Sequence, residues 1–126
     1  MKIHNPAAVA PPGGYSHGIE MPANARWLYC AGQLGVSPDG KMAATFEAQA
    51  EQAFRNLLAV LAETGMGAAD LIKINTYLTR REDVATYREV RRRLLGDVRP
   101  ASTLLVITAL ARDGALIEIE GVAAKA

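Results

Sequence analysis

Disulfides, a field of one charge sign and a membrane-spanning run are all missing from this chain of 126 residues. Its single cysteine, Cys30, excludes an intrachain disulfide. The 14 lysines and arginines nearly balance the 13 acids, for a formal net charge of +1. Nothing broad therefore attracts nucleic acid or an anionic membrane, although residues 88–93 are locally basic. The longest apolar clusters, such as residues 57–62, fall well short of the roughly 20 residues needed to cross a bilayer. The start Met1-Lys2-Ile3-His4-Asn5-Pro6 has no apolar signal-like core. The expectation is a soluble cytoplasmic protein with no nucleic-acid and no membrane partner. Histidine is scarce too, only His4 and His17, and no ligand set has metal-binding spacing. Gly65-Met66-Gly67 follows a helical pattern rather than opening one, so it reads as a stop and not as a phosphate cradle.

What is present is aliphatic. Half the residues are hydrophobic but only 6% are aromatic, a composition suited to helices laid on a sheet. With no repeat, no low-complexity tract and no linker, residues 1–126 read as one domain. From Thr45 onward Phe46, Ala50, Ala53, Phe54, Leu57, Leu58 and Leu61 recur at helical spacing, with Thr45 as cap and Gly65 as left-handed stop. A second helix is expected over 82–95, with Val84, Tyr87, Val90, Leu94 and Leu95 on one side, acids early, arginines late and Gly96 after it. Between them residues 71–78 alternate as a strand does. Further strands are expected at 16–21, 26–31, 103–108 and 116–123, the last two joined through Arg112-Asp113-Gly114. The order β-β-α-β-α-β-β makes two βαβ units with both helices on one face of a mixed sheet, an α+β fold. The other face is left bare, which predicts self-association.

The last strand holds the most chemically suggestive residues. Glu118 and Glu120 share one side of it, α-carbons about 6.7 Å apart, while Ile117 and Ile119 share the other. One reading is a solvated face that meets a cation such as Lys73. The other is a carboxylate that holds water beside a small ligand, with partial burial raising its pKa toward neutrality.

In this order, Gly13-Gly14-Tyr15-Ser16, Ala31-Gly32-Gln33, Asn56-Leu57, Asp70-Leu71-Ile72-Lys73, Pro100-Ala101-Ser102-Thr103 and Glu118-Ile119-Glu120 run over nearly the whole chain. Together they resemble the RidA/YjgF family, the reactive-intermediate deaminases, also known as endoribonuclease L-PSP-like proteins. The resemblance implies a chorismate-mutase-like protomer and a homotrimer with clefts between subunits, which would cover the bare face. It implies no metal or organic cofactor. In deaminating members the arginine of Pro-Ala-Arg grips the carboxylate of a 2-aminoacrylate-type enamine or imine, an N-terminal tyrosine lines the cleft, and the first Glu of the closing motif positions water.

Carried onto this chain, the resemblance gives Glu118 the catalytic role and Tyr15 a place in the cleft. Ser102 stands where the arginine would be. One neutral hydroxyl does not replace a bidentate guanidinium, so efficient 2-aminoacrylate deamination is not expected. Arg88 falls where the family often has Asn and could bind an anion from another direction; alternatively it belongs to a solvated run with Arg91, Arg92 and Arg93. Thr103 is a pocket candidate. Cys30 and Ala31 lie where the family presents backbone groups and a small residue to the ligand, although a free cysteine is most often an inert small hydrophobe. Two functions follow: hydrolysis of a small imine or enamine, or a non-catalytic trimer that binds a metabolite or partner in the same cleft. Nothing in the sequence speaks for or against a chaperone-like role.

Overall fold

The computed structural model, which describes residues 1–126, lays two helices on one face of a four-stranded sheet. Strand β3 (Arg26–Leu34) leads to α1 (Phe46–Ala62), β4 (Leu71–Leu78), α2 (Val84–Leu95), β5 (Ala101–Val106) and β6 (Ile117–Lys125). The sheet order is β3-β6-β4-β5. β6 runs antiparallel to both its neighbours, and β4 and β5 are parallel. Both βαβ units expected from the sequence are therefore present, with β6 inserted between the strands of the first.

Local chemistry explains the elements. The Thr45 hydroxyl accepts from the Ala48 amide at 3.2 Å and opens α1. Gly65, at φ 70°, takes the backbone past the helix end where a Cβ would be strained. The helix buries Phe54, Leu57 and Leu61 completely against Ile74, Leu78, Ile117 and Ile119. Each such side chain is worth roughly 1.5–3 kcal/mol of burial. From α2, Tyr87 and Val90 enter the same core. Tyr87 satisfies its phenol on the Thr76 hydroxyl at 2.8 Å.

Two side chains of α1 tie loops to this layer. Buried Gln49 donates to the carbonyls of Ala43 and Gly114, both at 3.0 Å, and accepts from the Leu116 amide at 2.8 Å. Asn56 donates to the carbonyls of Leu34 and Val36 at 3.1 and 2.8 Å, which gives the Asn of the Asn-Leu pair its structural task.

Some boundaries differ from the expectation. An additional strand, β1 (Lys2–His4), pairs with β2 (Gly18–Glu20) as a separate two-stranded ribbon, so the expected 16–21 strand meets the main sheet only through the single bridge of Ser16 to Ala101. Three residues are too few for a periodic signal, and the pairing spans a long sequence gap. β3 passes through Gly32 to Leu34 by way of a register shift between Cys30 and Gln33, because a bulge absorbs the glycine instead of ending the strand. α2 begins at Val84, since Arg81–Asp83 forms a 3-10 turn. There Asp83 accepts from Arg80 Nε at 2.7 Å and Nη2 at 3.0 Å instead of capping the helix. β5 starts at Ala101, two residues early, because Ala101 already pairs with Lys73.

Candidate functional site

Alternation along the strands sends the candidate residues to two different places. On β6, Ile117 and Ile119 are buried under the helices, so Glu118 and Glu120 project from the uncovered face. Lys73, Asn75 and Tyr77 of β4 share that face, as do Trp27 and Tyr29 of β3. On β5 the neighbours Ser102 and Thr103 part company. Thr103 accepts from Lys73 Nζ at 2.9 Å on the uncovered face. Ser102 lines a cavity on the helix side.

The two carboxylates are not equivalent. Glu120 Oε1 accepts from the Tyr77 phenol at 2.7 Å and from Asn75 Nδ2 at 3.1 Å. That hydrogen bond, then burial, holds the Tyr77 phenol above its usual range. Glu120 is thus a fixture of the sheet surface. Glu118 has neither donor and lies over Gly32, where a Cβ would come within 2.0 Å of its Oε1. Gly32 is the one residue type that leaves room for the Glu118 carboxyl group in this position, which accounts for the glycine of Ala31-Gly32-Gln33. Ala31 beside it is exposed. Cys30 faces the other way, into the core at 7% exposure, where burial raises the pKa of its thiol. A buried thiol held protonated is a packing element, so Cys30 contacts no open site.

The cavity lies between the N-terminal segment, the edge strand β5 and α2, with a volume of about 670 Å³. Gly13, Gly14 and Tyr15 form one wall and Ser102 and Leu104 another. Tyr15 is held by its neighbours: the Ser16 amide donates to the Pro100 carbonyl at 3.2 Å, and the Ser16 hydroxyl to the Arg99 carbonyl at 2.6 Å. His17 is anchored on the Ala10 carbonyl at 2.7 Å and presents its ring edge-on to Tyr15, centroids 5.4 Å apart. Arg88 lines the cavity from α2, together with Arg91 and Arg92, and Arg99 adds a cation from the segment before β5. The single acid in the lining is Asp97. An oxyanion is the ligand chemistry this wall suits.

Of the residues singled out in the sequence, Tyr15, Arg88 and Ser102 come together at the cavity, and Glu118, Ala31 and Thr103 do not join them within one protomer. Arg91 is the residue the sequence reading passed over as one more charge in a basic run. It sits four residues after Tyr87 and next to Val90, both buried, and that spacing alone marks it as flanking the core stripe.

Residues 5–125 match the family model described as endoribonuclease L-PSP. Among its relatives, a RutC family protein of Aquifex aeolicus is 32% identical, over 98% of this chain and 98% of that protein. A 2-iminobutanoate/2-iminopropanoate deaminase of Dermatophagoides farinae is 26% identical over 95% and 92%. The Rid family protein YyfB of Yersinia pestis superposes with a TM-score of 0.85 at 29% identity, covering 97% of this chain and 96% of that one. E. coli TdcF, solved with bound serine, gives 0.76 at 25% identity over 100% and 99%. The chain belongs to the endoribonuclease L-PSP family, the group of the RutC, RidA and YjgF proteins. Its α+β fold of two helices on a mixed sheet is the fold of the Rid proteins.

Proposed function

We propose that the chain hydrolyses a small imine or enamine acid, with Glu118 handling the protons, in a cleft completed by a second copy. The observation that carries this reading is the Glu118 carboxyl group, unengaged, lying over Gly32 on a sheet face that no helix covers. An enamine first gains a proton on carbon and loses one from nitrogen, becoming the imine. Water oxygen then bonds to the imine carbon, the C=N π pair moves to nitrogen, and Glu118 takes the proton from water. Glu118 returns that proton to nitrogen, giving the carbinolamine. It then carries the hydroxyl proton to the same nitrogen, an oxygen pair closes the C=O bond as the C–N bond breaks, and ammonia and a keto acid leave. The deaminase name carried by the mite relative and the serine bound to TdcF favour a small amino-acid-like ligand.

Glu118 and the Tyr15 cavity lie on opposite sides of one sheet, so a single protomer holds only half of the machinery. The cavity opens beside edge strand β5, where the uncovered face of another copy can reach it. Trp27, Tyr29 and Leu105, at 49%, 75% and 48% exposure, supply apolar contact on that face. A homotrimer of this kind sets Glu118 of one copy against Tyr15, Arg88 and Ser102 of the next. A second reading, a trimer that binds such acids without turning them over, is favoured by one observation: Ser102 gives the cavity no guanidinium from β5.

The experiment is ammonia release from imines generated by an amino-acid oxidase, comparing the chain with Glu118→Gln and following mass in solution. Turnover lost in Glu118→Gln with assembly unchanged supports hydrolysis. Binding without turnover in the parent chain supports the second reading.

A further inference from the structure

Arg91 is the strangest cation in the molecule. Its Nε and Nη2 are sealed from solvent and have no hydrogen-bond partner. The residue as a whole is half-buried, and sealing guanidinium N–H groups from water without a partner is costly. Yet its surroundings are built to keep it there. Gly14 presents bare backbone to it, since a Cβ would stand 3.3 Å from Nη1. Tyr87, one turn earlier on α2, is fixed in the core by Thr76. Burial pushes the Tyr87 phenol up, and the Thr76 hydrogen bond, then the charges of Arg91 and Arg88, offset part of that push. Arg88 stands three residues before Arg91 on the same helix face, at the spacing of side-chain neighbours, and lines the same cavity.

We propose that Arg91 is the carboxylate anchor of this cleft, replacing from α2 the guanidinium that Ser102 does not supply from β5, and that Arg88 takes a second anionic group. The ligand class is then a dicarboxylic 2-imino or 2-oxo acid. This rests on the cleft described above, but concerns what it binds and not whether it turns the ligand over. Two features argue for the second charge. Arg88, Arg91, Arg92 and Arg99 face one acid, Asp97, in the lining, where a monocarboxylate would leave a large excess of positive charge. The cavity, about 670 Å³, is in the range that accepts ligands much larger than a three-carbon acid.

The test is calorimetric titration of the full chain with 2-oxoglutarate, 2-oxobutanoate and inorganic phosphate, the oxo acids standing in for the short-lived imines. 2-Oxoglutarate is expected to bind at least about tenfold tighter than 2-oxobutanoate, the size of one charge-assisted contact. Arg91→Gln should weaken both acids by about 10- to 100-fold, with Arg91→Lys recovering only part, because an ammonium lacks the planar fork. Arg88→Gln should weaken 2-oxoglutarate much more than 2-oxobutanoate and so erase the preference for the dicarboxylate. Thermal melting separates binding from structure: Arg91→Gln should melt at or above the parent temperature, since it removes sealed N–H groups that have no partner.

Equal affinity for the two oxo acids, phosphate binding tighter than either, an Arg91→Gln affinity within twofold of the parent, or a melting point several degrees lower would each overturn the assignment. The expected binding pattern with no ammonia released from any imine keeps this assignment and sinks the hydrolase. Ammonia release indifferent to Arg91 does the reverse.

Discussion

The two faces of the sheet come from the same strands and the same alternation, yet one holds the fold together and the other carries groups for chemistry. Under the helices lie Ile74, Leu78, Ile117 and Ile119, each fully buried. One residue along in either direction lie Asn75, Tyr77, Glu118 and Glu120, partly exposed and polar. Away from the cavity edge formed by Ser102 and Leu104, the covered face is insensitive to which ligand binds, and the uncovered face contributes little to folding of the protomer. Substitutions should therefore separate into two classes, stability on one side and activity or assembly on the other.

The sharpest test of that separation is Gly32→Ala. The added methyl meets the flexible Glu118 carboxyl group rather than backbone, so the chain should fold while imine turnover falls by about 10²–10⁴, the usual worth of a positioned acid or base. Steady-state ammonia release and circular dichroism on one preparation check both halves. The same glycine-to-alanine change at position 35 meets the Gln49 Cα at 2.4 Å and its carbonyl oxygen at 2.6 Å, and there the fold itself should fail.

On the covered face, Leu57→Ala should cost about 2–5 kcal/mol by denaturant unfolding, the range for a buried leucine whose cavity cannot collapse. Gln49→Ala removes three hydrogen bonds to loop backbone and leaves those groups partly unsatisfied. A loss of about 1–3 kcal/mol is expected, read by the same unfolding curves.

A smaller effect comes from Cys30. Its folded thiol has a raised pKa, so the unfolded chain loses that proton first as pH rises. Stability is therefore present in full below the ordinary thiol range and declines above it. Iodoacetamide labelling at pH 8 should be slow in the native protein and fast in urea. Rapid native labelling would move Cys30 out of the core and break the comparison of the two faces.

Much of this fold was legible because its signals are local. Thr45, Gly65 and the helical spacing from Phe46 to Leu61 needed no tertiary information, and neither did the alternation over β4. The β1–β2 ribbon was not legible, since His4 and Gly18 pair across a loop and neither strand is long enough to show a period. The site was half legible. Motif order located Tyr15, Ser102 and Glu118, and strand alternation puts Ser102 and Thr103 on opposite faces. No pattern in one sequence says that Glu120 is engaged by Tyr77 while Glu118 is not. That depends on β4 and β6 lying side by side. Arg91 was half hidden: its spacing from Tyr87 places it beside the core stripe, but whether the head group of a charge in a basic run is solvated depends on the segment that packs over it.

The glycine at position 14 bears on how chains of this kind are sorted. It leaves room for the N-terminal segment to lie against Arg91 of α2, so a wall that Ser102 leaves without a cation on the strand side can be charged from the helix. Grouping such proteins by whether an arginine follows Pro-Ala would then sort them by the address of the charge and miss what the charge does. A comparison of whole cavity walls, helix included, would group them by the acids they hold.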